Sequence, residues 1–200
     1  VNKYLAINGS KSQEIMFEII SKMVIDEANN TVVLTDPLMK LDVGAVAKGY
    51  ATEQVAVAFE EKGISGYVLN VGGNVRTIGS KADGSKWTVG VENPDGEDYL
   101  AYLELDGQSL VTSGSYQRFY YVDGKAYHHV IDPKTLMPAK GYLSVSVVCK
   151  DSGLADALST AIFVAGKEKG IELLNRYNAR GILVTDDTVY FSKSLLQFLN

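Results

Sequence analysis

Short apolar runs separated by turn residues dominate the sequence between residues 67 and 149. They are rich in Val, Ile, Leu and aromatic residues, the side chains that favour β-strands. The runs are Tyr67–Val71, Val75–Ile78, Trp87–Val91, Leu100–Leu105, Phe119–Val122, Ala126–Ile131 and Leu143–Cys149. Turn residues such as Asp123-Gly124 between two runs are typical of a hairpin. Strands joined by short connections pair antiparallel, so the sequence predicts a largely antiparallel sheet.

Helical patterns lie on both sides of this strand-rich region. Apolar residues recur every four positions at Ile15, Ile19 and Met23, which predicts a helix over 13–24. An Ala-rich segment predicts a second helix, with Asp42 as its N-cap and Gly63 as its stop. Further helices are predicted at Gly153–Val164, Lys167–Tyr177 and Ser194–Leu199, and further strands at Thr31–Thr35, Gly181–Val184 and Val189–Phe191. This order favours a single α+β domain over residues 1–200, with helices packed on the sheet.

The bulk composition excludes several classes of protein. Apolar residues make up 46% of the 200 positions, enough for a sizeable core. A net charge of -5 and the lack of a basic run argue against a nucleic-acid partner. No segment approaches the roughly 18 apolar residues of a membrane helix. The single Cys149 cannot form an internal disulfide, and a start at Val1 predicts a processed or trimmed piece of a longer protein.

The two histidines of the chain, His128 and His129, are adjacent. Histidine is the side chain best suited to move a proton near neutral pH. Neighbouring side chains on a strand point to opposite faces, so the two cannot share one role. We therefore expect at most one of them to face a functional site.

Asp156 and Thr160 are four residues apart in a predicted helix and so lie on one face. A carboxylate and a hydroxyl on one face can both bind a hard cation such as Mg²⁺. Spacing alone equally fits ordinary roles, an Asp that stabilises the helix dipole and a Thr that bonds back to a carbonyl.

Three glycine-containing segments are candidates for phosphate or flavin binding. Residues 42–50 place Gly44, Lys48 and Gly49 near a helix start, where phosphate binds readily, although the segment is not a P-loop. Residues 70–74 and 112–118 are polar loops with free backbone N–H groups, and Arg118 can pair with phosphate. Taken singly, each segment also fits an ordinary capped helix or a plain turn.

Five segments taken together resemble one family. They are D-V-G-A-V-A-K-G-Y-A at 42–51, N-V-G-G-N at 70–74, T-S-G-S-Y-x-R at 112–118, Y-H-H-V-I-D-P-K-T at 127–135 and A-D-A-L-S-T-A at 155–161. In this order they resemble the ApbE/Ftp family, the FAD:protein FMN transferases. The resemblance implies a fold related to the T-fold and a Mg²⁺-dependent reaction on FAD. The FMN half passes to a Thr or Ser hydroxyl of a partner flavoprotein, of the membrane redox complex type, and AMP leaves.

The resemblance also implies roles for single residues. His129, directly before Val-Ile-Asp-Pro, would stand at the reaction centre, and His128 would be structural. The metal ligands would be Asp156, Thr160 and the backbone carbonyl of Ala45. The residues that would bind FAD are Asp42, Lys48, Asn70, Gly72, Gly73, Ser113, Gly114, Arg118, Val130 and Ile131. Family members usually work outside the cytoplasmic membrane, so we expect a periplasmic or cell-surface location, with any anchor upstream of Val1.

Two departures from the family pattern leave other functions open. Leu136 stands where the family usually has a Gly, which predicts a loop of altered shape. The segment before Asp42 is also shorter than is usual. The alternatives are a Mg²⁺-dependent FAD pyrophosphatase, with water in place of the acceptor hydroxyl, and a non-catalytic flavin- or nucleotide-binding module.

Overall fold

The computed structural model describes residues 22–96, 98–116 and 118–196. The predicted helix over 13–24 lies mostly outside the described residues. Its last two residues, Met23 and Val24, lie in a β-strand, so the helix prediction is wrong there. The predicted helix Ser194–Leu199 also extends beyond the described residues. The described chain forms two compact units, 22–43 with 131–139 and 44–130 with 140–196.

The smaller unit contains a β-hairpin close to its start. Strands β1 (Met23–Asp26) and β2 (Thr31–Leu34) pair antiparallel. Strand β2 agrees with the predicted strand Thr31–Thr35 except for its last residue. The Asp26 carboxylate accepts hydrogen bonds from the Asn29 backbone N–H at 3.1 Å and from its side-chain amide at 2.7 Å. These bonds fix the turn between β1 and β2, which allows the two strands to pair as a hairpin.

The second part of the smaller unit is a short loop that contains Leu136. It runs between the two-residue strands β10 (Ile131–Asp132) and β11 (Met137–Pro138), which pair antiparallel. The Asp132 carboxylate accepts a hydrogen bond from the Lys134 N–H at 2.9 Å. Leu136 has φ +57°, the left-handed conformation that glycine adopts without strain. The loop therefore keeps a left-handed residue at this position, at the cost of backbone strain in Leu136.

The larger unit is built on a six-stranded sheet in the order β14-β13-β12-β7-β4-β3, and every pair in it is antiparallel. Its strands are β3 (Tyr67–Val71), β4 (Asn74–Ile78), β7 (Ser109–Gly114), β12 (Ser144–Cys149), β13 (Arg180–Val184) and β14 (Val189–Phe191). Two further hairpins complete the unit, β5 (Trp87–Glu92) with β6 (Tyr99–Leu105) and β8 (Phe119–Val122) with β9 (Lys125–His128). The predicted α+β class with a largely antiparallel sheet is confirmed.

Strand β7 corrects the prediction of a polar loop over 112–118. Thr112, Ser113 and Gly114 belong to this inner strand, which pairs with β12 along its whole length. Their polar side chains are satisfied within the fold, since the Thr112 hydroxyl lies 2.8 Å from that of Ser146 on β12. Hydroxyl pairs of this kind allow a polar segment to occupy an inner strand, and periodicity does not reveal them.

The sheet is covered on both faces. All six residues of β12 are buried, including Ser144 and Ser146, as expected for a strand that is covered on both sides. On one face lie α1 (Ala47–Glu61) and α2 (Ser152–Ala165), and α3 (Lys167–Arg176) packs against α2. On the other face the β5–β6 hairpin contributes to a core cluster. The buried members of this cluster are Val91, Leu103, Leu105, Leu110, Val148, Ile182, Val184 and Leu195.

The helix ends agree with the sequence in part. Helix α1 stops as predicted, because Gly63 N–H donates to the Glu60 carbonyl at 3.0 Å and Ile64 N–H to Phe59 at 2.9 Å. Its N-cap is Val46, which offers no side-chain acceptor, so the prediction of Asp42 as the N-cap is wrong. Among the described residues, no helix is both long enough and apolar enough to cross a membrane.

Candidate active site

The first turn of α1 and the first turn of α2 touch at Gly49. Gly49 is buried, and a Cβ atom there would lie 2.3 Å from the Ser152 carbonyl oxygen and 2.6 Å from the Asp156 Cβ. Both distances are far below van der Waals contact. Only glycine therefore permits this approach, which joins two of the segments that carry the family resemblance.

Two carboxylates hold this contact in a reciprocal way. Asp156 Oδ2 on α2 accepts the Gly49 N–H at 2.8 Å, and Glu53 Oε2 on α1 accepts the Ser152 N–H at 2.8 Å. Both N–H groups belong to a first helical turn, where the helix itself offers no acceptor. Each helix therefore supplies the anion that stabilises the N-terminus of the other. The acceptor that Val46 does not offer is supplied by Asp156, which is 107 positions from Gly49.

Asp156 is buried, with 3% of its surface exposed, and its environment controls its charge. Burial raises the pKa of Asp156 above its ordinary value, and the Gly49 N–H and the Lys48 charge only partly oppose this shift. Oδ1 makes no hydrogen bond to any described residue. A buried carboxylate with one oxygen unengaged and a raised pKa gains from a cation.

Hydroxyl groups continue the same face of α2. Thr160 Oγ1 lies 3.1 Å from the Ser113 Oγ on β7, which in turn lies 2.7 Å from the Ser159 Oγ. Ala45 is exposed in the turn just before α1, four positions before Gly49. Carboxylate, hydroxyl and carbonyl oxygens are the ligands that Mg²⁺ takes, so the residues present fit this ion. No cluster of three His, Cys, Asp or Glu side chains suited to a metal occurs among the described residues, and the predicted set contains only one such side chain.

The predicted flavin-binding residues are divided between two faces of the sheet. Ser113 contacts α2, whereas its neighbour Thr112 lines a cavity of about 310 Å³ beside the β5–β6 hairpin. Asn70 and Gly73 line the same cavity, and Gly72 and Gly73 form the tight turn between β3 and β4. Asn70 therefore lies on the face of the sheet opposite to Ser113 and its partner Thr160, as strand alternation predicts.

The two histidines have different surroundings. The His128 ring, at the end of β9, packs edge-on against buried Phe163 of α2, with ring centroids 5.7 Å apart. His129 is exposed just after the strand, and its backbone N and ring Nδ1 both lie 3.2 Å from the Arg118 carbonyl oxygen. A carbonyl only accepts, so Nδ1 carries the proton and Nε2 keeps a lone pair. In a neutral His129 ring, Nε2 is therefore the nitrogen that can accept a proton.

The remaining predicted residues take varied positions. Gly114 ends β7 with the Tyr116 ring against it, and a Cβ there would lie 2.7 Å from that ring. Val130 is buried and Arg118 is exposed. Asp42 and Ile131 are exposed residues of the smaller unit. Their predicted contacts with FAD stay predictions, as do those of the other residues.

A buried ionic network behind the helix contact was not foreseen from the sequence. Fully buried Arg76 on β4 donates from Nε to Glu53 Oε2 at 3.0 Å and from Nη2 to Glu60 Oε1 at 3.0 Å. Beside it, the Asn74 Oδ1 accepts the Ser152 hydroxyl at 2.6 Å. Strand alternation places Asn74 and Arg76 on one face of β4. Two polar side chains on a buried face of a strand were the sequence signal that could have revealed this network.

Comparison with known proteins places the chain in the ApbE family. The model of the ApbE family matches residues 9–183. A FAD:protein FMN transferase from Klebsiella pneumoniae is 37% identical over 183 residues, which cover 88% of this chain and 56% of that protein. One from Treponema pallidum is 37% identical over 75% of this chain and 44% of its own length. The chain therefore spans about half the length of the curated relatives it matches.

Solved structures give the same result for the fold. The ApbE protein of Thermotoga maritima superposes with a TM-score of 0.80 at 34% identity, covering 94% of this chain and 64% of that one. The flavin transferase ApbE of Vibrio cholerae superposes with a TM-score of 0.75 at 29% identity, covering 93% of this chain and 61% of that one.

Proposed function

Because this chain belongs to the ApbE family, we propose that it transfers FMN from FAD to a Thr or Ser hydroxyl of a partner flavoprotein and releases AMP. The observation that carries the proposal is the 2.8 Å bond from Gly49 N–H to Asp156 Oδ2. It unites the Lys48-Gly49 segment with the Asp156–Thr160 face. This supports the proposal, because a cation held by Asp156 and a phosphate bound at the start of α1 would then lie side by side.

The chemistry begins with charge on the pyrophosphate of FAD. Asp156 Oδ1, Thr160 Oγ1 and the Ala45 carbonyl would hold Mg²⁺, which neutralises phosphate charge when bound. Lys48 is close enough to Asp156 to lower the pKa of that carboxyl and would add a second positive charge. Ser113 positions the Thr160 hydroxyl through the 3.1 Å contact between their oxygens.

The proton of the acceptor hydroxyl is the second requirement, because a neutral hydroxyl is a weak nucleophile. His129 would take it at Nε2, while Nδ1–H stays on the Arg118 carbonyl. The acceptor oxygen bonds to the phosphorus of the FMN half as the bond from that phosphorus to the AMP oxygen breaks. A base of this kind contributes about 10²–10⁴-fold to the rate.

Hydrolysis of FAD to FMN and AMP is the second candidate. The exposure of His129 favours it, since water can reach Nε2 when no acceptor is bound. The reaction centre would be the same, with a water proton in place of the hydroxyl proton.

For the main function we further propose an acceptor of the membrane redox complex type and a location outside the cytoplasm.

The test uses FAD, Mg²⁺ and an acceptor flavoprotein that carries FMN covalently on a known Thr in its mature form. Transfer predicts a fluorescent covalent band of the acceptor, with AMP released in equal amount. FMN and AMP without a band indicate hydrolysis. With His129→Gln, either activity should fall about 10²-fold or more. No turnover of FAD, together with FAD binding that Mg²⁺ does not affect, would identify a non-catalytic binding module.

A further inference from the structure

The β8–β9 hairpin is an exposed aromatic element of the larger unit. Phe119, Tyr120, Tyr121 and Val122 are 48%, 54%, 67% and 46% exposed, so both faces of β8 are open to solvent. Among the described residues, no further strand pairs with β8 or β9. A two-stranded hairpin gains little stability by itself, and apolar side chains on both of its faces are unusual without a partner.

The end of this hairpin that joins the rest of the unit lies beside His129, the candidate general base. His128 packs against Phe163 of α2, and His129 bonds through two nitrogens to the Arg118 carbonyl just before β8. The far end is the two-residue turn Asp123-Gly124, as the sequence predicted. The hairpin therefore projects from the position of His129.

The aromatic rings of the hairpin pack against one another in the absence of a partner. Phe119 and Tyr121 meet edge-on with centroids 5.5 Å apart, and Tyr120 stacks on Tyr127 at 5.8 Å. Such pairing limits side-chain motion before binding, which lowers the entropy lost in a complex. Tyrosine is also among the residues that dominate the energetics of interfaces.

We propose that the β8–β9 hairpin is the docking surface for the folded acceptor protein, an inference that rests on the proposed transfer function. The acceptor must present its hydroxyl to His129 Nε2, and the hairpin is the exposed apolar element joined to that residue. The half-exposed rings of Phe119, Tyr120 and Tyr121 offer roughly 300 Å² of surface that a partner could bury. This area is well below the roughly 800 Å² that each partner buries in a stable complex. This small area suits an acceptor that leaves after each transfer. A second copy of the chain bound here would instead cover His129.

The experiment separates docking from chemistry by comparing two acceptors. Wild type, Tyr120→Ala, Tyr121→Ala and the double variant are assayed with the folded acceptor flavoprotein and with a short peptide carrying the same target Thr. Tyr102→Ala is the matched control, since Tyr102 is 48% exposed on the β5–β6 hairpin. Binding of the folded acceptor is measured separately by calorimetry without FAD. Thermal unfolding shows which variants are folded, and the single variants replace the double variant if it is not.

We expect the double variant to lose about tenfold or more in kcat/KM with the folded acceptor. Transfer to the peptide, together with the AMP that this reaction releases, should stay within about twofold of wild type. The Tyr102→Ala control should stay within about twofold of wild type with both acceptors. Calorimetry should show a matching loss of affinity. Equal activity of all variants with the folded acceptor overturns the proposal, as does an equal loss with the peptide. If wild type turns over no FAD, the proposed function fails, and calorimetry alone decides docking: binding weakened only in the hairpin variants supports it, and unchanged or absent binding overturns it.

Discussion

Replacing Gly49 with Ala should break the contact between α1 and α2 on which the candidate site is built. The added Cβ would lie 2.6 Å from the Asp156 Cβ and 2.3 Å from the Ser152 carbonyl oxygen. Carbon atoms pack best at about 3.5–4.0 Å, so the two helices must separate by about 1 Å. Both obstacles include atoms tied to the α2 backbone, and no flexible side-chain end can move aside.

The magnitude follows from what this separation removes. A 1 Å shift lengthens the 2.8 Å bonds from Gly49 N–H to Asp156 and from Ser152 N–H to Glu53 beyond hydrogen-bonding range. Overpacking costs about 1–3 kcal/mol, and each bond to a charged acceptor is worth about 1.5–3 kcal/mol. Replacing Gly with Ala inside a helix by itself stabilises the helix by about 1 kcal/mol. The costs of overpacking and of the lost hydrogen bonds do not simply add. We expect a net loss of about 2–4 kcal/mol in the free energy of unfolding.

Urea unfolding followed by circular dichroism measures this loss. Gly153→Ala is the matched control, because its Cβ would meet only the Asp151 Oδ1 at 3.2 Å and Tyr50 backbone atoms at 3.4 Å. That control should stay within about 1 kcal/mol of wild type. Thermal stabilisation by FAD with Mg²⁺ should also fall in Gly49→Ala. If Gly49→Ala is as stable as Gly153→Ala, the helix contact is not held as described and the reasoning is refuted.

Three further changes test single features of the chain. Asp156→Asn keeps an acceptor for the Gly49 N–H but removes the buried charge. Burial raises the pKa of Asp156 above 3.8 in the folded protein, so this carboxyl binds a proton more readily when the chain is folded than when it is unfolded. The free energy of unfolding of the wild type therefore falls as pH rises from the unfolded to the folded pKa. In urea titrations we expect this fall above the ordinary pKa of a carboxyl to weaken in the variant, and stabilisation by FAD with Mg²⁺ to vanish. A variant that keeps both contradicts the assignment. Leu136→Gly should raise the free energy of unfolding by about 0.5–1 kcal/mol through relief of left-handed strain. Asn178→Gly, at φ +49°, should gain less because Asn tolerates this conformation, and a destabilised Leu136→Gly would argue against strain. Burial, followed by the nearby Asp151 charge, raises the pKa of Cys149 to about 11. Its alkylation at pH 8 should therefore be about 100-fold slower in the folded protein than in urea, and similar rates would show that the thiol is accessible.

Local patterns in the sequence were sufficient for most single elements. The apolar run that became β12, the Asp123-Gly124 turn and the stop of α1 at Gly63 each depend on neighbours within a few residues. Strand β7 was missed because Thr112 and Ser113 are polar and find their hydroxyl partners on β12 and α2. No local signal reports such distant partners, so a polar inner strand looked like a loop.

The candidate site shows the same division between local and distant information. The five motifs and their order identified the family. Strand alternation predicted different surroundings for His128 and His129, whereas in the structure β9 ends at His128 and His129 lies just after it. The sequence could not show that Asp156 serves α1 as its N-terminal acceptor, because Gly49 is 107 positions away. It also gave no sign of the tautomer of His129, which the Arg118 carbonyl decides.

The sequence by itself determined the antiparallel strands, the helix face that carries Asp156 and Thr160, and the membership of a flavin transferase family. The strands and the helix face depend on residue type and on spacings of two to four positions, and the family on the order of five motifs, all of which are properties of the chain before it folds. Only the tertiary structure decided that Gly49 admits α2 to within contact of α1, and that Glu53 and Asp156 stabilise each other's helices. The physical reason is that a buried charge and a close backbone approach depend on atoms that meet only when the chain has folded.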